Sequence, residues 1–221
     1  MRSSFLITLC ALAFVLPRAH AEASLTYRER TGAREITTVI SIERLADGMR
    51  IHSLMSDGDT HLVEVNASGA TISYRVASPA RKTDYAAYRE GNTIRVQGTL
   101  GGRPLFRVLP IDARPWYETL ERSLCGYALS RSATPVLFWI VHPWEARAYL
   151  LQGRWEAEQD VQVNDRAVAA MRVRVGPVGV LSLFWSTLYW FRSSDGRFLR
   201  YEGVRGLPGT PKTVVELIGG G

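Results

Sequence analysis

Cysteine is almost absent from this chain: Cys10 and Cys125 are the only two in 221 residues. Cys10 falls inside an apolar leader, so its removal leaves Cys125 alone, no intramolecular disulfide can form, and packing has to hold the fold. Lysine is nearly missing as well, since only Lys82 and Lys212 accompany the arginines. Those arginines are spread singly along the chain, without the basic runs or stripes of a nucleic-acid protein, so no nucleic-acid partner is expected. HExxH and GxSxG do not occur, and Gly176-Pro177-Val178-Gly179 lacks the lysine of a phosphate loop. No catalytic residue, metal ligand or cofactor is therefore assigned, and the chain is not expected to be an enzyme. His52 and His61 flank the Asp57-Gly58-Asp59 turn, an arrangement with too few fixed ligands to define a metal site. Glu156 with Glu158, and Asp57 with Asp59, are carboxylates two apart that read as solvated strand faces. His142-Pro143-Trp144 reads as a strand exit, because proline ends pairing.

What is present begins with residues 1–21. Arg2 gives a positive start, Phe5 to Leu16 an apolar run, and Ala19-His20-Ala21 a small-x-small cleavage pattern. This is the layout of a signal peptide cleaved before Glu22, and the run is too short to anchor the chain in a membrane, which takes roughly 20 apolar residues. A periplasmic or secreted protein follows, with no integral membrane segment after cleavage. Loss of Arg2 and Arg18 lowers the formal charge from +6 by two. The remaining residues suit one domain over 22–218, with 219–221 as a disordered tail.

From Leu25 to Leu109 the chain alternates apolar and polar residues in short runs divided by Ala46-Asp47-Gly48, Asp57-Gly58, Ser68-Gly69, Glu90-Gly91-Asn92 and Gly101-Gly102. These are hairpin turns between half-buried strands, an antiparallel meander. Ile36, Val39, Ile40 and Ile42 depart from strict alternation, which suggests a bulge near Val39. Between Arg114 and Arg131 the period changes: Trp116, Leu120, Leu124, Tyr127 and Ala128 recur at three and four, and Pro115 suits a first turn. One amphipathic helix is expected there, with Glu118 and Glu121 near its positive end and Cys125 buried beside Leu124. Strands then resume from Pro135 to Ile218. The architecture is all-β with one helix: a strongly curved antiparallel sheet, or incomplete β-barrel, half-wrapping that helix.

The stretch Val180 to Arg192 is apolar on both faces, with Leu181, Leu183, Trp185, Tyr189 and Phe191 on one and Phe184, Leu188 and Trp190 on the other. Val136 to Trp144 behaves in the same way. Such strands either serve a closed core or line an apolar cleft. The cleft reading assigns a lipid or acyl chain to a site lined by Trp139, Phe184, Trp185, Tyr189 and Trp190. The alternative is an envelope scaffold or protein-interaction module that uses the same rings as core and an exposed strand edge for partners.

Tyr189-Trp190-Phe191-Arg192, the run Asp195-Gly196-Arg197-Phe198-Leu199-Arg200-Tyr201-Glu202-Gly203, and Leu207-Pro208-Gly209-Thr210-Pro211 resemble uncharacterised exported bacterial proteins of the DUF3108-like kind. Those are similar in architecture to Lol-type lipoprotein carriers. The resemblance implies a curved sheet with an apolar cavity, and no catalytic residues.

Overall fold

The computed structural model describes residues 21–179, 185–204 and 211–220. The expected signal peptide up to residue 20, and Phe184, lie outside the described residues. Fourteen strands form one sheet: β1 (Ala21–Thr31), β2 (Arg34–Leu45), β3 (Gly48–Met55), β4 (Thr60–Asn66), β5 (Thr71–Ser78), β6 (Thr83–Glu90), β7 (Thr93–Leu100), β8 (Arg103–Pro110), β9 (Val136–His142), β10 (Arg147–Val163), β11 (Arg166–Pro177), β12 (Thr187–Arg192), β13 (Phe198–Val204) and β14 (Lys212–Gly219). Two short helices, α1 (Leu120–Ser123) and α2 (Cys125–Ser130), stand between β8 and β9.

The strands run β8-β7-β6-β5-β4-β3-β2-β1-β14-β13-β12-β11-β10-β9. Two hairpin meanders are thus welded by the antiparallel pairing of β1 with β14, where Thr31 meets Thr213 and Tyr27 meets Leu217. The edges β8 and β9 stay unjoined. Laid flat, fourteen strands at about 4.8 Å spacing would hold those edges roughly 60 Å apart. Instead Arg107 on β8 donates to the Glu145 and Ala146 carbonyls in the β9–β10 turn at 2.5 and 3.0 Å. The sheet is curled into an incomplete barrel, open along one seam.

Alternation sorts the two faces. Ile51, Val63, Tyr74, Val76, Tyr85, Ala87, Ile94 and Val96 are buried on the concave side of the first meander, as the hairpin reading requires. Val173, Tyr201 and Tyr27 continue that surface on the second. The bulge expected at Val39 is absent: β2 pairs in unbroken register with β3, and Val39 lies on the outer face beside Leu54. Register shifts fall elsewhere, among them one in β10 between Trp155 and Ala157 opposite β11, and β10 runs through it as one long strand. Gly219, the first residue of the expected 219–221 tail, ends β14 and pairs with Thr26.

The single helix expected over 114–131 is also corrected. Residues 115–118 are an extended strap: Trp139 N–H donates to the Pro115 carbonyl and Tyr117 N–H to the Trp139 carbonyl, both at 2.8 Å, while Thr71 N–H donates to the Trp116 carbonyl at 2.7 Å. Backbone groups committed to β9 and β5 cannot also serve a helix. Helical turns start only at Leu120 and are interrupted at Leu124. That apolar stripe still faces inward. Leu124 and Ala128 are fully buried, and Leu124 packs over Gly153, where a Cβ would stand 3.6 Å from the Leu124 Cδ2 atom. Ser123 Oγ donates to the Gly69 carbonyl at 2.8 Å, so the helical segment ties the two meanders together.

Gly196, in the β12–β13 turn, has φ +70°, and a Cβ there would lie 2.5 Å from Cys125 Sγ. Cys125 is accordingly half-buried, and burial raises its thiol pKa. Gly196→Ala combines a left-handed backbone with this overlap and should lower stability by about 1–3 kcal/mol in denaturant unfolding; a midpoint unchanged from the parent would show that α2 is not held against the turn.

Candidate functional site

The four described rings assigned to a cleft, Trp139, Trp185, Tyr189 and Trp190, do not form one surface. Tyr189 and Trp190 are consecutive on β12, so they project to opposite faces. Tyr189 pairs across the sheet with Val173 and Tyr201 and belongs to the concave side. Its ring lies 5.1 Å from that of Tyr201, 6.0 Å from Phe198 and 6.4 Å from Phe191. Trp190 stands between Arg172 and Arg200 on the convex side and is buried there. Trp185 precedes β12, half-buried, with Nε1 donating to the Val204 carbonyl at 2.8 Å. Trp139 lies far along the sheet order on β9, half-buried, with Nε1 donating to Asp112 Oδ1 at 3.0 Å; that bond holds the Asp112 carboxyl below its ordinary pKa.

Much of the apolar surplus of β9 and β12 is consumed by packing. Phe138 and Val141, on opposite faces of β9, are both buried, as are Trp190 and Phe191 on β12. β9 can be apolar on both sides because the strap lies along its free edge and the β9–β10 turn folds under the first meander, where Tyr85 OH donates to the Pro143 carbonyl at 3.1 Å. Trp144 in that turn has the Arg81 guanidinium 4.5 Å from its ring centroid and His61 alongside at 6.3 Å.

Burial is incomplete on the concave side. Tyr189 stays only half-buried although its neighbours on the same face of β12, Thr187 and Phe191, are sealed. On β9 and β10 one face passes from Phe138 opposite Leu151, both sealed, to Ile140 opposite Tyr149. Ile140 is half-buried and Tyr149 is exposed. An apolar wall therefore runs from a packed centre to an open rim.

Glu118, which the helical reading placed near a helix start, is the unforeseen polar residue of this interior. Its Oε1 accepts from Trp116 Nε1 and, at 2.5 Å, from the Val141 N–H, pinning the strap to β9. The carboxyl is ringed by protein although the residue keeps some solvent contact, and desolvation pushes its pKa up to about 8 against the pull of those two donors. Tyr74 and Tyr85 nearby are raised by the same burial. Chemically this is one largely neutral acid among phenols and indoles, a positioning element.

His52 and His61 do flank a hairpin, but His52 pairs with Leu62 and His61 with Ser53, one step apart, so their side chains leave opposite faces. No group of three or more His, Cys, Asp or Glu able to hold a metal occurs among the described residues. No helix among them is long and apolar enough to cross a membrane.

Comparison with known proteins supports the architecture. No family model matches the chain, so the resemblance to DUF3108-like proteins rests on the residues quoted above, and no curated protein matches it. Among solved structures, a β-barrel-like protein of the DUF1849 domain of unknown function from Brucella abortus is similar over 90% of this chain and 96% of its own, with TM-score 0.60 at 9% identity. The hypothetical lipoprotein YmcC from Escherichia coli K12 covers 89% of this chain and 84% of its own, with TM-score 0.44 at 10% identity. A LolA superfamily protein from Nitrosomonas europaea covers 90% and 83%, with TM-score 0.28 at 10% identity. The first of these, the β-barrel-like protein, is the one whose fold this chain resembles at TM-score 0.60.

Proposed function

We propose that this is an exported, noncatalytic protein that binds an apolar or amphipathic molecule, a lipid or acyl chain, against the concave side of its unclosed sheet. The observation that carries the reading is the half-buried Tyr189 between sealed Thr187 and Phe191: a concave ring that still meets solvent marks space beside it. In this reading Tyr189 is the wall residue among those rings; Trp139, opposite Leu150 and so on the other side of β9 from Phe138 and Ile140, stands outside it with Trp190 on the convex face. The LolA superfamily name of one structural neighbour agrees with such a role without arguing for it.

Dansyl-labelled undecanoic acid tests the reading. Burying its chain predicts saturable binding with Kd on the order of micromolar, since each buried methylene contributes about 0.8 kcal/mol before ordering costs. Tyr189→Ser should weaken binding roughly five- to tenfold, the contribution of about 1 kcal/mol expected from one aromatic wall. Absence of saturable binding to the parent protein would overturn the proposal.

A second reading has its own support. β8 is an edge strand, and Phe106 and Val108, both on its outer face, are 68% and 53% exposed. Such an edge is suited to adding a partner's strand. Under that reading Phe106→Lys would abolish stoichiometric co-purification of a protein partner and leave probe binding untouched.

A further inference from the structure

The convex wall of the second meander carries rows of charged side chains. Pairing registers place Arg154, Arg174, Leu188 and Glu202 in one row across β10 to β13, and Arg172, Trp190, Arg200, Glu216 and Arg28 in the next. Most of these charges are mutually satisfied: Arg200 binds both Glu202 and Glu216, Lys212 binds Glu202, and Arg28 and Arg30 face Glu216. The exception lies at one end of the wall. There Glu156 is the single carboxylate shared by Arg172 and Arg174, and Arg154, an exposed residue, has no carboxylate partner among the described residues; its Nη2 reaches only Gln152 Oε1, at 3.3 Å.

Beside this excess of positive charge the surface is hollowed. Gly176 pairs with Gln152, and the missing side chain leaves a depression of about 140 Å³ lined by Gln152, Arg154, Arg174, Gly176 and Ser186. A Cβ on Gly176 would stand 3.0 Å from the Trp185 carbonyl oxygen, so the floor is kept low by glycine. The rim offers donors. Arg174 Nη1 donates to Ser186 Oγ at 2.9 Å, which uses a hydroxyl lone pair and frees the Ser186 hydrogen to point into the depression. The Gln152 amide is held only loosely, to the Pro177 carbonyl at 3.4 Å.

We propose that this depression is a binding site for a phosphate-bearing group, recognised by the forked donors of Arg154 and the edge of Arg174 with Ser186 and Gln152 completing the contacts. Guanidinium groups match tetrahedral oxyanions with two parallel bonds, and three arginines against one glutamate supply the charge. Glycine beneath them lets the anion approach the sheet backbone. The site is on the opposite face from the apolar trough, so it goes beyond the lipid-binding reading and its test is independent of the fatty-acid probe.

Two probes separate the sources of the phosphate. Inorganic phosphate is titrated into the full chain by calorimetry with chloride at constant ionic strength, and flotation compares phosphatidylglycerol vesicles with phosphatidylcholine vesicles. Saturable phosphate binding that weakens tenfold or more in Arg154→Ala, and is unchanged in Arg30→Ala on the same wall, identifies a site for free oxyanions. Flotation with phosphatidylglycerol and not with phosphatidylcholine, whose phosphate charge is neutralised by choline, lost in Arg154→Ala and kept in Arg30→Ala, identifies the anionic phosphate of a lipid headgroup. Arg154 makes no ion pair among the described residues, so its removal leaves the fold intact. Absence of binding in both assays, or equal losses in the two variants, would overturn the proposal.

Discussion

A chain ending at Pro211 will not fold. Removing residues 212–221 takes out β14, which lies in the middle of the sheet and pairs with β1 from Thr26 to Thr31 and with β13 from Arg200 to Val204. Roughly ten ladder hydrogen bonds at about 0.5–1.5 kcal/mol net each would go, together with buried Leu217 and Thr213 and the 2.7 Å bond between the Thr31 and Thr213 hydroxyls. That loss is as large as the whole stability of an ordinary domain, and it opens two new strand edges beside apolar surface. The expected outcome is loss of the cooperative thermal transition in circular dichroism and aggregation on expression. A truncated chain with a sharp transition near that of the parent would show that the two meanders fold without their weld.

Glu118 should govern the pH dependence of stability. In the unfolded chain its carboxyl ionises near the ordinary value of 4.5, whereas burial in the fold holds it protonated up to about 8. Below pH 4.5 both states carry the proton and there is no penalty. Between these values unfolding releases a proton, so stability falls as pH rises, by up to about 1.4 kcal/mol per pH unit, and the slope vanishes above pH 8. Glu118→Gln keeps an oxygen to accept from Trp116 Nε1 and Val141 N–H and removes the titration. The variant and the parent should be similar near pH 4.5, and the variant more stable by a few kcal/mol at pH 8, read as the difference between their urea unfolding curves. Glu118→Leu leaves both donors unpaired and should be destabilised at every pH, by about 1–3 kcal/mol for each orphaned group. Parallel stability profiles for the parent and Glu118→Gln would refute a buried, protonated Glu118.

The hairpins were readable because their signals are local. Asp57-Gly58, Ser68-Gly69 and Gly101-Gly102 stand between strands whose inward residues alternate, and the structure places turns at these sites. The β1–β14 weld was not readable, since no local pattern tells two remote strands that they are neighbours. The strap hides its conformation from local pattern for a physical reason: Trp116, Leu120 and Leu124 keep helical spacing through 116–124, but tertiary hydrogen bonds to Trp139 and Thr71 hold its first residues extended. Glu118 then looked like a helix-start carboxylate, and nothing local announced that β9 would close over it. Of the ring set, the opposite directions of Tyr189 and Trp190 follow from alternation alone. What alternation could not supply is which face faces the charges: Arg172 and Arg200 beside Trp190 settle that only once the registers are known.

The trough is most directly tested by native mass spectrometry of the protein purified from the envelope of an expressing bacterium without detergent. An unclosed sheet with an apolar wall leading to an open rim predicts an adduct of lipid or fatty-acid mass, released by organic extraction and depleted in Tyr189→Ser. A single peak at the mass of the bare polypeptide, in both the parent and the variant, would contradict the account.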